Sequence, residues 1–206
     1  MASTLLRSVT TLVLLSGLAG TTAAHAQHFS LAPQIGFYIP TDNLTEVLAS
    51  GDAGKLEAGP SFGARIGLWF GKRFGIEASG AYIPTTFTLP VTGGNIETHD
   101  AKLFNGSGQA VFYILPATGV LSLYVSGGVG VISRGGIAFT SEAQNTNVSG
   151  VLGAGAGFRL GGVTLTAGVD LFSYKAEYAG SDQTSSELQQ HDIHLKLGLG
   201  IPFGGK

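Results

Sequence analysis

Ile193-His194-Leu195-Lys196-Leu197-Gly198-Leu199-Gly200-Ile201-Pro202-Phe203 alternates large apolar residues with small or polar ones without a break. A period of two places Ile193, Leu195, Leu197, Leu199, Ile201 and Phe203 on one face of a strand. The other face carries Asp192, His194, Lys196, Gly198 and Gly200. A helical period would scatter both sets around the axis. The run is also about as long as the ~10 residues that a tilted strand needs to cross a bilayer.

The same pattern recurs upstream. The first segment, Phe29 to Ile39, sends Leu31, Ile35, Phe37 and Ile39 one way and Ala32, Gln34, Gly36 and Tyr38 the other. In the second, Ser61 to Gly71, Phe62, Ala64, Ile66, Leu68 and Phe70 oppose Ser61, Gly63, Arg65, Gly67 and Trp69. The third, Gly75 to Ile83, sets Ile76, Ala78 and Tyr82 against Glu77, Ser79 and Ala81. Leu103 to Ile114 repeats the scheme, with Asn105, Ser107, Gln109 and Tyr113 on the less greasy face. Three further segments centre on Val125, Ala154 and Ala167, and their second faces carry Tyr124 and Ser126, Gly153-x-Gly155-x-Gly157, and Thr166 and Asp170. Short links at Lys72-Arg73, Pro116–Leu121 and Gly161-Gly162 alternate with long polar ones at 41–59, 84–102, 133–150 and 173–190.

Eight such segments with alternating short and long links predict an all-β fold: an eight-stranded antiparallel up-and-down transmembrane β-barrel, with short periplasmic turns and long extracellular loops. A water-soluble barrel would show the same alternation with its faces reversed. Charge decides between them. Only 12% of the 206 residues are charged, and the strand faces hold few beyond Arg65, Glu77, Arg159, Asp170, Asp192 and Lys196, far below a water-facing surface. The 33 glycines crowd the non-greasy face, as a narrow interior requires. Trp69, Phe70, Phe74, Phe112, Tyr113 and Phe203 near the short turns, and Phe37, Tyr38 and Tyr82 toward the loops, are expected to form two aromatic girdles.

A net charge of −2 leaves no basic footprint for nucleic acid. The absence of cysteine removes disulfides, thiolate metal sites and thiol nucleophiles. Residues 1–26 combine Arg7, the apolar run Thr11–Leu18 and the end Ala24-His25-Ala26, the pattern of a secretory signal peptide. The barrel domain is therefore expected to span residues 27–206, reaching the bacterial outer membrane through the periplasm.

Several stretches resemble the outer membrane protein A and opacity-protein group of small eight-stranded barrels from Gram-negative bacteria. Gly67-Leu68-Trp69-Phe70-Gly71-Lys72-Arg73-Phe74-Gly75-Ile76-Glu77-Ala78 is similar to that group's second hairpin, and Val125-Ser126-Gly127-Gly128-Val129-Gly130 to its fifth strand. Lys196, Gly198, Ile201 and Phe203 match the group's C-terminal assembly signal, with Gly204-Gly205-Lys206 added where its members usually end. The resemblance implies recognition by the barrel-insertion machinery. It also implies contact with outer-membrane lipid and lipopolysaccharide, and no periplasmic peptidoglycan-binding domain is expected after the eighth strand.

Two motifs of nucleotide and zinc chemistry are absent: there is no P-loop and no H-E-x-x-H. His191 and His194 are three apart, hence on opposite faces of a strand and unsuited to one metal. A lipid A-modifying hydrolase of this size is expected to place histidine and serine two apart on a strand, and neither His191 nor His194 has a serine at that spacing. Arg65, Glu77, Arg159, Asp170 and Lys196 are expected to gather in the lumen, Asp170 with Lys196 and with Arg65 near their height, Glu77 and Arg159 lower. Unpaired charges there would cost several kcal/mol, so ion pairs and small side chains are expected to plug the bore. The expected role is a structural or surface-interaction barrel, without enzymatic activity or cofactor, a monomer whose loops face an extracellular ligand. A narrow porin-like channel for small or apolar solutes is the alternative. Phe203→Ala should reach the outer membrane at a reduced level, measured by membrane fractionation, while refolding in vitro with stability close to wild type.

Overall fold

The computed structural model describes residues 28–42, 55–91, 95–136, 146–179 and 185–203. The expected signal segment 1–26 and the tail 204–206 lie outside these. Eight long strands form the fold: β1 His28–Pro40, β2 Gly59–Phe70, β3 Phe74–Val91, β4 Asn95–Leu115, β5 Leu121–Gly136, β6 Thr146–Leu160, β7 Val163–Ala179 and β8 Ser185–Phe203. Each pairs antiparallel with its sequence neighbours, and β1 pairs with β8 to close the ring. Among the described residues there is no helix.

Closure is what makes this sheet viable in lipid, since every open edge would leave backbone N–H and C=O groups without water or a partner. The β1–β8 seam runs from Phe29 opposite Phe203 to Pro40 opposite Asp192. It skips Ala32 and Pro33 between Leu31–Ile201 and Gln34–Gly198, where Pro33 has no N–H to give. Two of the three short turns rest on glycines with positive φ, Gly71 at 72° and Gly161 at 59°, a region that side-chain-bearing residues avoid.

The strands run further outward than alternation alone indicates. The expected loop over 84–102 is largely paired strand, with Pro84 opposite Lys102 and Val91 opposite Asn95. β7 and β8 likewise extend to Ala179 opposite Ser185, and β5 to Gly136. Lys55 and Leu56 form a two-residue strand on Thr88 and Phe87 of β3, so the first loop returns along the outer part of that hairpin. Within the loops, Glu46, Asp52, Glu142 and Asp182 lie outside the described residues.

Burial reverses the usual order of a soluble domain. Ile35, Phe62, Phe104, Leu152 and Leu197 are all more than half exposed on the outer wall, while Arg65, Glu77, Asp170, Asp192, His194 and Lys196 are buried within. An uninterrupted apolar exterior of this kind belongs in lipid. The girdle expectation needs one correction: Tyr38 and Tyr113 are buried in the lumen, and Trp69 packs beside Tyr113 there. Phe29 and Phe203 pair across the closing seam with ring centroids 6.0 Å apart, and Phe74 and Phe112 at 5.2 Å across β3–β4.

A closed ring has no free edge from which detergent can unzip it. The refolded chain should therefore migrate differently on SDS gels before and after boiling, with β-rich far-ultraviolet circular dichroism. Identical mobility would contradict the closed ring.

Candidate functional site: the barrel lumen

The interior is built in three layers. Toward the extracellular end, Ile83 and Phe87 of β3, Leu103 of β4, Ile132 of β5, Val151 of β6 and Phe172 of β7 form a dry apolar cluster capped by Leu56. Sequence alternation missed this layer. Five of these six positions adjoin an apolar residue on the outer side (Tyr82–Ile83, Leu103–Phe104, Val131–Ile132, Val151–Leu152, Leu171–Phe172), so those pairs show no greasy and non-greasy side, and Phe87 lies between Thr86 and Thr88 in a stretch expected to be loop.

A second polar group is set into the same layer. Arg134 donates to Asn147 Oδ1 and to the Tyr174 hydroxyl, both at 2.8 Å, and Tyr174 donates to Asp192 Oδ2 at 2.7 Å. Arg134 had the look of a loop charge because the apolar phase of β5 ends at Val131. It is nonetheless 5% exposed, and its parity with Tyr124 and Ser126 is the signal that places it inward. Nearby, Thr41 and Asp42 grip β8: the His191 backbone N–H donates to Asp42 Oδ2 at 2.6 Å, and the Thr41 hydroxyl donates to the His191 carbonyl. His191 also meets Asp42 through Nδ1 at 3.1 Å, with its side chain 44% exposed. His194 faces the lumen, so the two histidines do lie on opposite faces.

The middle layer is a belt of charged and hydroxyl groups. Lys196 is bonded to Asp170 Oδ2, the pair expected from parity, and their strand register makes them diagonal neighbours, with Asp170 opposite His194 and Lys196 opposite Gly168. Asp170 also accepts from Gln109 Nε2 at 3.2 Å. Gln109 in turn donates to Ser107 and accepts from Ser126, and Ser107 meets Ser79 at 2.9 Å. Arg65 pairs with Glu77 at 3.4 Å and donates to the Tyr124 hydroxyl and Thr166. Glu77 sits two residues nearer the turn than the level of Arg65, opposite Gly67 where Arg65 is opposite Ser79, and is the ion-pair partner of Arg65. Arg159 leaves the cluster altogether. It is exposed at the turn end, donating to the Ala117 carbonyl at 2.9 Å.

Glycine makes this belt possible. A Cβ on Gly153 would lie 2.6 Å from Asp170 Oδ1, and one on Gly155 would strike Tyr124. The glycine run of β6 is therefore the space into which opposing side chains reach, as its place in a period-two strand suggested.

Gly36 does the same between β2 and β8. With no side chain there, Ser61 Oγ and His194 Nε2 meet across β1 at 2.6 Å. A search along single strands could not find this pair, because its members lie on β2 and β8. Its chemistry is not that of an activated serine. Asn105 Nδ2 lies 3.2 Å from His194 Nδ1; an amide donor there leaves the ring proton on Nε2, which then donates to the serine instead of taking its proton. Ser61 and His194 are also 2% and 3% exposed.

The third layer, toward the periplasmic turns, is a cavity of about 220 Å³. Trp69, Tyr113 and Tyr124 wall it, with Arg65 at the inner end and Arg159 among the turn residues. Tyr113 stacks on Tyr124 with centroids 5.6 Å apart and on Trp69 at 6.5 Å. Among the described residues no group of histidines and carboxylates could hold a metal ion.

Removing one member of the Asp170–Lys196 pair should cost about 3–5 kcal/mol, because the other charge stays buried and unpaired. The double replacement Asp170→Ala with Lys196→Met should cost much less than the sum. Reversible unfolding in lipid vesicles measures the coupling; additive losses would mean the two groups are separately hydrated.

Solved structures share the architecture at low identity. Outer membrane protein OprG from Pseudomonas aeruginosa is 16% identical, with a TM-score of 0.66, over 87% of this chain and 97% of that one. Escherichia coli outer membrane protein W is 15% identical with a TM-score of 0.54, over 88% of this chain and all of that one. The N-terminal β-barrel domain of Pseudomonas aeruginosa OprF gives 14% and 0.52, over 87% and 100%. No protein of curated function matches by sequence. At such identities the likeness concerns the fold, and these neighbours are outer membrane proteins. The model of the outer membrane protein β-barrel domain family matches residues 10–200, and the chain belongs to that family.

Proposed function

We propose that this protein is a closed outer-membrane barrel with a structural and surface-presenting role. One observation carries the reading: above the cavity the lumen holds a hydrogen-bonded ionic belt and then an apolar layer whose Ile83, Phe87, Leu103 and Ile132 are at most 1% exposed. An ion crossing that layer would have to shed its water, and the charged groups set into it, Arg134 and Asp192, are bonded to Asn147 and Tyr174 instead of ringing an open path. An eight-stranded barrel is only wide enough to be filled by side chains, and this one fills its bore twice over, with charge and with hydrocarbon.

On this reading the extended β3–β4 and β7–β8 hairpins present the loops above the membrane, where lipopolysaccharide or an extracellular ligand would meet them. Closure also satisfies all strand edges within one chain, which supports a monomer. The rival channel for small or apolar solutes would need both layers to part. The hydrolase would need Ser61 exposed and His194 in the opposite tautomer.

Planar-bilayer recordings of the refolded barrel test the proposal. The expected outcome is no discrete conductance at moderate voltage. Stable, reproducible steps from the wild-type protein would replace the plug with a pore.

A further inference from the structure

We infer that the periplasmic third of the lumen is a binding site for a small aromatic carboxylate, a function beyond the structural role proposed above. The cavity has the size for it: about 220 Å³, against the ~150 Å³ apolar cavity that accommodates benzene. Its walls have the shape. Trp69, Tyr113 and Tyr124 form one tilted aromatic cluster along the wall, Tyr113 lying 6.5 Å from Trp69 and 5.6 Å from Tyr124 between ring centroids, and a ring lying in the cavity would pack against that wall at the usual 4.5–7 Å centroid spacing.

Its charge selects the ligand's sign. Arg65 and Arg159 line the cavity and no aspartate or glutamate does. Arg65 is 5% exposed, and its donors are only partly used. Nη1 reaches Glu77 at a long 3.4 Å and Tyr124 at 3.2 Å, and Nη2 spends one of its two N–H groups on Thr166 at 3.1 Å. A carboxylate in the cavity would accept from the remaining Nη2 N–H, a charge-assisted bond stronger than a neutral one. The structural role alone does not require this arrangement. A plug would be better served by filling the space with an aliphatic side chain and pairing Arg65 fully.

The ligand enters from the turn side, past Arg159, and stops at Arg65, because the belt and the apolar layer lie beyond. The site therefore captures a molecule of the periplasm and does not pass it on.

Trp69 is the single tryptophan of the chain, so its fluorescence reports directly from the cavity. The probe is benzoate, titrated into the full-length barrel refolded in zwitterionic detergent, with benzylamine and acetate as controls of opposite charge and of no ring. A saturable fluorescence change with benzoate is expected, and none with either control. Arg65→Met combined with Glu77→Gln removes the guanidinium without stranding its partner. That double variant should weaken benzoate about tenfold or more while keeping its heat-modifiable mobility. Should it fail to fold, Arg159→Gln at the mouth is expected to weaken benzoate by a smaller factor. Absence of a saturable response to benzoate, an equal response to benzylamine, or unchanged affinity in the folded variants would each overturn the inference. The conductance result is independent of this one: a silent barrel that binds benzoate and a silent barrel that does not are different outcomes.

Discussion

Everything in this molecule depends on backbone hydrogen bonds that must be made without water. A strand in hydrocarbon cannot leave an N–H or C=O unpaired, and the only sheet without edges is a closed one. Here the last strand supplies the closure: β8 pairs along its length with β7 and again with β1. Once the ring shuts, each strand's two faces have fixed fates, lipid outside and lumen inside, and the period of two becomes obligatory. At Pro33 the seam forgoes two pairs.

Closure creates a second problem, a bore too narrow for bulk water and too long to leave empty. The chain fills it differently at each level, according to what each level can afford. Near the middle, where the bilayer is driest, charges appear only with partners: Asp170 with Lys196 and Gln109, Arg65 with Glu77, Tyr124 and Thr166. Toward the loops the filling turns apolar, with one buried chain of Asn147, Arg134, Tyr174 and Asp192 tying β5, β6, β7 and β8 together. Toward the turns it opens into the aromatic cavity. Interior volume is shared by pairing large side chains with glycine on the facing strand, as Tyr124 does with Gly155.

What was legible in the sequence follows from these constraints. The strands, the turn pattern and the inside–outside assignment could be read because lipid forces a strict two-residue period, and Asp170 with Lys196 could be paired because they lie on adjacent strands with matching parity. Legibility fails where parity stops discriminating. Ile83 beside Tyr82, or Phe172 beside Leu171, is apolar on both sides, so the dry upper layer gave no signal, and Arg134 was hidden by the same loss of phase. Reach was less legible than face: Glu77, two residues nearer the turn than the level of Arg65, still pairs with it, while Arg159 sits exposed at its turn and takes no part in the lumenal cluster. Trp69, Tyr113 and Tyr38 show a related ambiguity: an aromatic near a strand end suits an interface girdle or a lumen equally well, and only parity separates the two.

The Ser61–His194 contact shows how far adjacency in a barrel departs from adjacency in a sheet. The two strands are not neighbours; β1 lies between them. The contact exists because Gly36 vacates the intervening position, and a Cβ there would sit 2.6 Å from Ser61 Oγ. In an open sheet, such a vacancy exposes backbone on one face. In a closed ring, curvature turns the lumenal side chains toward one axis, so next-nearest strands converge wherever the residue between them is small. Longer side chains reach further across the lumen, bringing Arg65 of β2 to Thr166 of β7 and Asn105 of β4 to His194 of β8. Glycine in these strands is therefore a device for tertiary contact, and its cost in conformational entropy is offset by bonds that tie together strands the sheet ladder itself does not join.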